Sequence, residues 1–184
     1  MGAALKNQIL QVAHKLILNG AVPSRLGVAE LVAAVPCAEK EFARAFPSFS
    51  AFQRELCALL FSDSREAVIQ ATSGMQSGLE QVKTAFLAYL DYNFENPALQ
   101  ELAHHIQLDP AGWELLQRME VGVALVVQAD LEAMGATLRT ARAQLLTSLA
   151  VAVVRAEYRQ RRMLPEMREA LLDYCRLSGR PPAA

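Results

Sequence analysis

Residues 28–47, VAELVAAVPCAEKEFARAFP, constrain this chain more than any other stretch. Val28, Leu31, Val32 and Val35 recur at helical spacing and share one apolar face. Val35-Pro36-Cys37 interrupts the pattern, because proline lacks a backbone donor and its ring clashes with the preceding turn. A second short run, 38–45, closes on Phe46-Pro47. Isolated helices shorter than about 12–15 residues are marginal in water, so these two need a third to pack on. Residues 3–18 supply it, with Leu5, Ile9, Val12, Ala13, Leu16 and Ile17 in one apolar stripe. Asn19-Gly20 ends that helix, and 21–26 is a linker with Pro23 and Ser24 as turn residues. Three helices with a tight break between the second and third have the layout of a helix-turn-helix.

The rest of the chain continues in helices. Pro47-Ser48 opens a long one reaching about residue 72, with Ser48 or Ser50 as cap and Phe52, Leu56, Leu59 and Leu60 inside. Ser73-Gly74 through Ser77-Gly78 breaks it. Helical patterns follow over 79–94, 98–107, 110–134, 139–163 and 166–177. Strand-like alternation of β-branched and aromatic residues is missing, and 53% hydrophobic against 20% charged residues is a globular balance. The expected fold is all-α: a three-helix head over 1–50, a helical body over 51–178 and a frayed tail at 179–184.

Charge and cysteines narrow the chemistry. The net charge is −1, yet residues 1–56 carry six Lys/Arg against four acids, a weak bias of the sign that suits nucleic acid. Cys37, Cys57 and Cys175 are odd in number and far apart, which suits reduced thiols in a cytoplasmic protein. No signal peptide is legible, since His14 and Lys15 interrupt the first apolar stretch, and the run 121–127 is too short for a bilayer. His104 and His105 point about 100° apart on a helix and do not chelate together. His105 and Asp109 share a face, but two ligands do not make a metal site. With no nucleophile–base pair, phosphate-cradling loop or paired-carboxylate motif, we expect neither an enzyme nor a metal or other cofactor.

At Ile9, Ala13, Leu16 and Gly20, then VAELVAAV, FPSFSAF and DLEAMGATLR (130–139), the chain resembles the tetracycline-repressor (TetR) family of bacterial regulators. The resemblance implies an all-helical homodimer whose heads bind double-stranded operator DNA. It also implies a ligand-binding and dimerisation body that controls the spacing of the heads.

Carried over position by position, the family's turn glycine falls on Pro36. Its recognition-helix hydroxyls fall on Ala38 and Glu41, its tyrosine on Ala43 and its later lysine on Phe49. The hydroxyl positions of the second helix fall on Leu26 and Gly27. The residues left to meet DNA are Lys40 and Arg44 on one face, flanked by Arg25 and Lys6. Arg44 can read guanine bidentately and Lys40 can hold a phosphate, whereas Glu39 and Glu41 would repel one. Two other readings stand beside this one. The four charges can form a solvated surface with intrahelical pairs. Alternatively, the fold has lost DNA reading and acts through a protein partner, to which an exposed Phe49 would contribute; a Phe49 packed between helices would not.

In the body, Phe86, Tyr89, Trp113, His105 and Met119 are candidates for a pocket taking a small apolar or aromatic ligand, or else core residues. Leu145, Leu149, Ala152, Val153 and Ala156 form a seam that, with Leu171 and Tyr174, suits an intermolecular four-helix bundle. Arg155, Arg159, Arg161 and Arg162 make a basic cluster, either a solvated rim or a site for acidic ligands.

Overall fold

Gly20 sets the first boundary. Its φ of +92° lies in the left-handed region that a side chain disfavours. There the Gly20 N–H reaches the Ile17 carbonyl and the Ala21 N–H the Leu16 carbonyl, both at 2.9 Å, closing α1 (Gly2–Leu18) in a Schellman stop. A single 3-10 turn, Pro23–Arg25, leads into α2 (Val28–Ala34), α3 (Glu39–Ala45) and α4 (Phe49–Thr72). Then come α5 (Leu79–Glu95), α6 (Pro97–Ile106), α7 (Pro110–Ala133), α8 (Arg139–Gln160) and α9 (Pro165–Ser178). This computed structural model describes residues 2–178, and every regular element among them is helical, as the composition and periodicity imply. The stretch expected to fray, 179–184, lies outside the described residues.

Two boundaries have specific causes. Ser48 caps α4, its Oγ accepting the Ala51 N–H at 3.1 Å, while Ser50 is engaged elsewhere. The expected continuation of α8 to 163 fails at Arg161, which takes a left-handed φ of +52° and ends the helix.

The chain packs as two units that do not follow a 50/51 boundary. The first contains the described residues up to Asp63 together with Asn96–Leu115, and the second Ser64–Glu95 with Leu116 onward. Thus α6 and the start of α7 pack with the three-helix head. Three contacts show why. α6 lies against the 3-10 turn, and the Ser24 N–H donates to Glu101 at 2.8 Å. Asp109 accepts the Ser50 hydroxyl at 3.0 Å and pairs with Arg54, both on the first turns of α4. At the α6–α7 corner, buried Gly112 sits directly on the backbone of Ile106: a Cβ there would lie 2.0 Å from the Ile106 carbonyl oxygen.

The core of the first unit is built from the faces that periodicity marks. Ile9, Ala13, Leu31, Val35, Phe42, Phe46, Phe52 and Leu56 are buried. The Phe46 ring stands 5.2 Å from both Phe42 and Phe52, edge-on to the latter. Such pairs contribute about 0.5–1.5 kcal/mol beyond the area they bury. His14 on α1 pairs with Asp63 on α4.

In the second unit, Phe86, Leu90, Leu131, Leu146, Val153, Val154, Leu171 and Cys175 form one core. Beside it lies an ion cluster. Arg168, 7% exposed, donates to Glu157, 2% exposed, through Nε at 2.7 Å and Nη2 at 2.9 Å, and pairs with Asp91. Glu157 also accepts the Leu164 N–H at 2.9 Å, so one carboxylate holds α8, the α8–α9 corner and α9. Burial works to raise the Glu157 pKa, but the Arg168 and Leu164 hydrogen bonds and the Arg168 charge outweigh it and hold the carboxyl below its usual range. Burial pushes the thiols of Cys57 and Cys175 up to about 12, so both are inert.

Candidate nucleic-acid interface

Helix α3 begins at Ala38, which has no side-chain oxygen to cap it. The Ala38 N–H is instead satisfied by Glu41, three residues on, whose Oε2 accepts it at 2.8 Å. Glu30 does the same for Gly27 at the start of α2, at 3.0 Å. These are half capping boxes, with the reciprocal Ser or Thr missing. They change how the acids count. The expectation that Glu41 repels phosphate meets a carboxylate folded back on its own helix end, where it also complements the helix dipole. The same contact occupies the carboxylate that intrahelical pairing with the neighbouring cations would need.

The inner side of α3 is fixed by buried Phe42, with Phe46 just beyond its end. Opposite it, Lys40, Ala43 and Arg44 are exposed at i, i+3 and i+4, with Glu39 at the edge. Arg25 is exposed in the 3-10 turn. Lys6 is placed differently from the sequence expectation. Its ammonium pairs with Glu55 at 2.6 Å and lies 5.4 Å from the centroid of the Phe46 ring, so it secures α1 to α4. Phe49 packs between helices, its ring 5.5 Å from Phe52 and 6.5 Å from Phe42. In the turn, burial first and Glu41 second push the Cys37 thiol up, away from reactivity.

The five pocket candidates do not share a unit. Phe86 is buried in the core of the second unit, Tyr89 packs against that core, and Met119 is half-buried on α7. Burial, then the charge of Glu120, raise the Tyr89 phenol well above its ordinary range, with Arg155 opposing. Trp113, 48% exposed, and His105, also exposed, belong to the first unit. The sequence reading passed over Thr147 and Gln81, whose buried side-chain oxygens make no hydrogen bond within the protein. The available signal was a threonine in the middle of an apolar helical run. Asp109, weighed as a metal ligand with His105, is instead taken by Ser50 and Arg54. The Ser50 hydrogen bond first, and the Arg54 charge, hold its carboxyl below the usual range.

On α8, Val153 lies in the subunit's own core, as does Leu171 on α9, so neither is open to a partner. Of the same seam, Leu145 and Ala152 are exposed and Leu149 and Ala156 partly so, Leu149 leaning on the core, at i, i+4, i+7 and i+11. On α9, Met167, Ala170 and Leu177 are exposed and Tyr174, which packs against the core, is partly so, at i, i+3, i+7 and i+10. Both spacings follow the 3.5-residue repeat of helices that pack lengthwise. α7 separately exposes Val121, Leu125 and Val126. In the basic cluster, Arg155 faces Glu120 at 3.8 Å, Arg161 stacks 4.5 Å from the Tyr158 ring, and Arg162 donates to Gln160. No helix among the described residues is long and apolar enough to cross a membrane.

Comparison with solved structures bears on this arrangement. A transcriptional regulator from Rhodococcus sp. Rha1 superposes with a TM-score of 0.69 at 13% identity, covering 97% of this chain and 95% of the other. The reduced form of E. coli NemR gives 0.64 at 16%, covering 97% and 99%. A protein assigned to the tetR family of transcription regulators, from Shewanella sp. PV-4, gives 0.63 at 15%, covering 92% and 95%. The chain has the TetR-type fold. No family profile and no curated protein matches it by sequence. Its α2–turn–α3 segment takes the helix-turn-helix place in that fold, and α3 exposes Lys40, Ala43 and Arg44 with Glu39 at the edge.

Proposed function

We propose that this protein is a ligand-responsive transcriptional regulator of the cytoplasm that binds operator DNA as a homodimer. The observation that carries this reading is the outward face of α3, where Lys40 and Arg44 stand together and Glu41 is folded away into a cap. Arg44 is the base reader, Lys40 a phosphate contact and Arg25 a flanking one. The test is duplex selection from a random pool at two salt concentrations, followed by titration of the best binder. The parent protein is expected to lose affinity as salt rises. Arg44→Ala should weaken selected DNA by about 1–3 kcal/mol and relax one position, whereas Lys40→Ala should weaken all duplexes alike and lower the salt slope by about one. Absence of salt-dependent binding to any duplex would end this reading.

A second reading has its own observation. Pro36, Ala38 and Ala43 are exposed where donors would sit, which suits a head that meets a protein partner. An empty selection at both salt concentrations, with folded protein, favours it.

The homodimer would form on the open stripes of α8 and α9. Leu145→Glu is expected to give a monomer by sedimentation at concentrations where the parent is a dimer, while Val126→Glu on α7 leaves the dimer intact. The reverse pattern would move the interface to α7. The regulating ligand is a small apolar or aromatic molecule held in the second unit beside Phe86, Tyr89 and Met119. Thr147 and Gln81 offer the polar contacts. On binding, it would shift the population of head spacings that fit successive major grooves, which lie about 34–36 Å apart.

A further inference from the structure

Resting on the DNA reading above, we infer that the α3 face recognises a guanine beside a thymine. Arg44 bonds the guanine, and the methyl of Ala43 meets the C5-methyl of the thymine. The argument starts from what the exposed stripe can offer. Lys40, Ala43 and Arg44 are exposed on it, with Glu39 at its edge on the Ala43 side, and the burial of Phe42 and Phe46 on the other side holds them outward. Arg44 has a rigid fork of N–H donors that matches O6 and N7 of guanine in the major groove. Lys40, one turn earlier, is a compact charge on a flexible stem and suits a phosphate better than a base edge.

Ala43 carries neither donor nor acceptor. Of the four bases, thymine alone shows the major groove an apolar group, so a bare methyl discriminates by favouring thymine. Residues 43 and 44 are consecutive on one helix, about 1.5 Å apart along its axis and about 100° around it, so a long Arg44 and a short Ala43 reach two different base pairs close together rather than one. Exposed Pro36 and Ala38, just before α3, add no side-chain donor that would spread the readout further. Glu41, which could have accepted from a cytosine amine, is bonded to the Ala38 N–H at 2.8 Å and does not reach out. The outcome is a short direct readout: one guanine and one thymine per half-site, with the remaining affinity from phosphates and insensitive to sequence.

The experiment uses the full-length protein and its best selected duplex. Each guanine in turn is replaced by 7-deazaguanine, which lacks N7, and each thymine by uracil, which lacks the C5-methyl. One deazaguanine per half-site is expected to weaken binding about tenfold, and one adjacent uracil about threefold. Arg44→Ala should abolish the first sensitivity and leave the second. Ala43→Gly should abolish the second, with Ala43→Ser as the companion variant should glycine loosen so short a helix. Salt-dependent binding by a parent that ignores both base changes would overturn this inference while leaving the DNA reading standing. Base sensitivities that survive in the variants would overturn the assignment to Arg44 and Ala43. Failure of the parent to retain any duplex at either salt concentration would remove the DNA reading and this inference together.

Discussion

Arg168→Ala is expected to cost the second unit about 3–5 kcal/mol of stability, because it strands a charge inside the protein. Glu157 is 2% exposed, and its carboxylate is bonded at 2.7 and 2.9 Å to the guanidinium that the substitution deletes. The Leu164 N–H alone cannot replace those bonds. The loss should appear as a lower urea midpoint. A double variant, Arg168→Met with Glu157→Leu, is expected to recover most of it, since apolar groups of similar volume often replace a buried ion pair at little cost. Acid titration gives an independent reading of the same cluster. The folded-state pKa of Glu157 lies below its ordinary value of 4.5, so its stabilisation is complete above about that pH. That stabilisation is lost as the pH falls through the lower folded value. Arg168→Ala should flatten this acid limb. A variant within 1 kcal/mol of the parent, with the limb unchanged, would refute the account.

Gly112→Ala is the second large effect, expected to cost about 3 kcal/mol or more through overpacking. The new Cβ would lie 2.0 Å from the Ile106 carbonyl oxygen and 2.7 Å from its carbon. These are backbone atoms, so no rotamer relieves the clash. The α6–α7 corner must open instead, straining the Asp109 N–H bond to the same carbonyl. Gly122→Ala is the control. That glycine lies within α7 with nothing within 4 Å of an added Cβ, and alanine there should stabilise by about 0.5–1 kcal/mol. Equal melting curves for Gly112→Ala and the parent would show that the corner yields.

Local patterns carried most of the architecture. The break at Pro36, the stop at Gly20 and the apolar spacing of Leu31, Phe42, Phe52 and Leu56 act over a few residues, so a linear reading reaches them. Contacts across long separations were hidden. Nothing near Asp109 says that its partners are Ser50 and Arg54, and those partners are what draw the corner into the head. Direction on a helix was hidden as well. Ala152 and Val153 are both apolar, and the 100° between them decides which one faces the core. α8 is apolar over more than one face, so periodicity alone admits either. Exposure was hidden too: the aromatic character of Trp113 and His105 is written in the sequence, and their openness to solvent is not. Glu41 read as an outward charge because a carboxylate that caps its own helix is written with the same letter as one that does not.

The two capping carboxylates have a consequence for phosphate binding. A helix N-terminus attracts anions, and a DNA phosphate is one of the groups that can fill it. In α2 and α3 those positions already hold Glu30 and Glu41. For a head that binds DNA as we propose, these two helix ends contribute less to holding phosphates than uncapped ends would, so the phosphate grip falls to side chains such as Lys40 and Arg25.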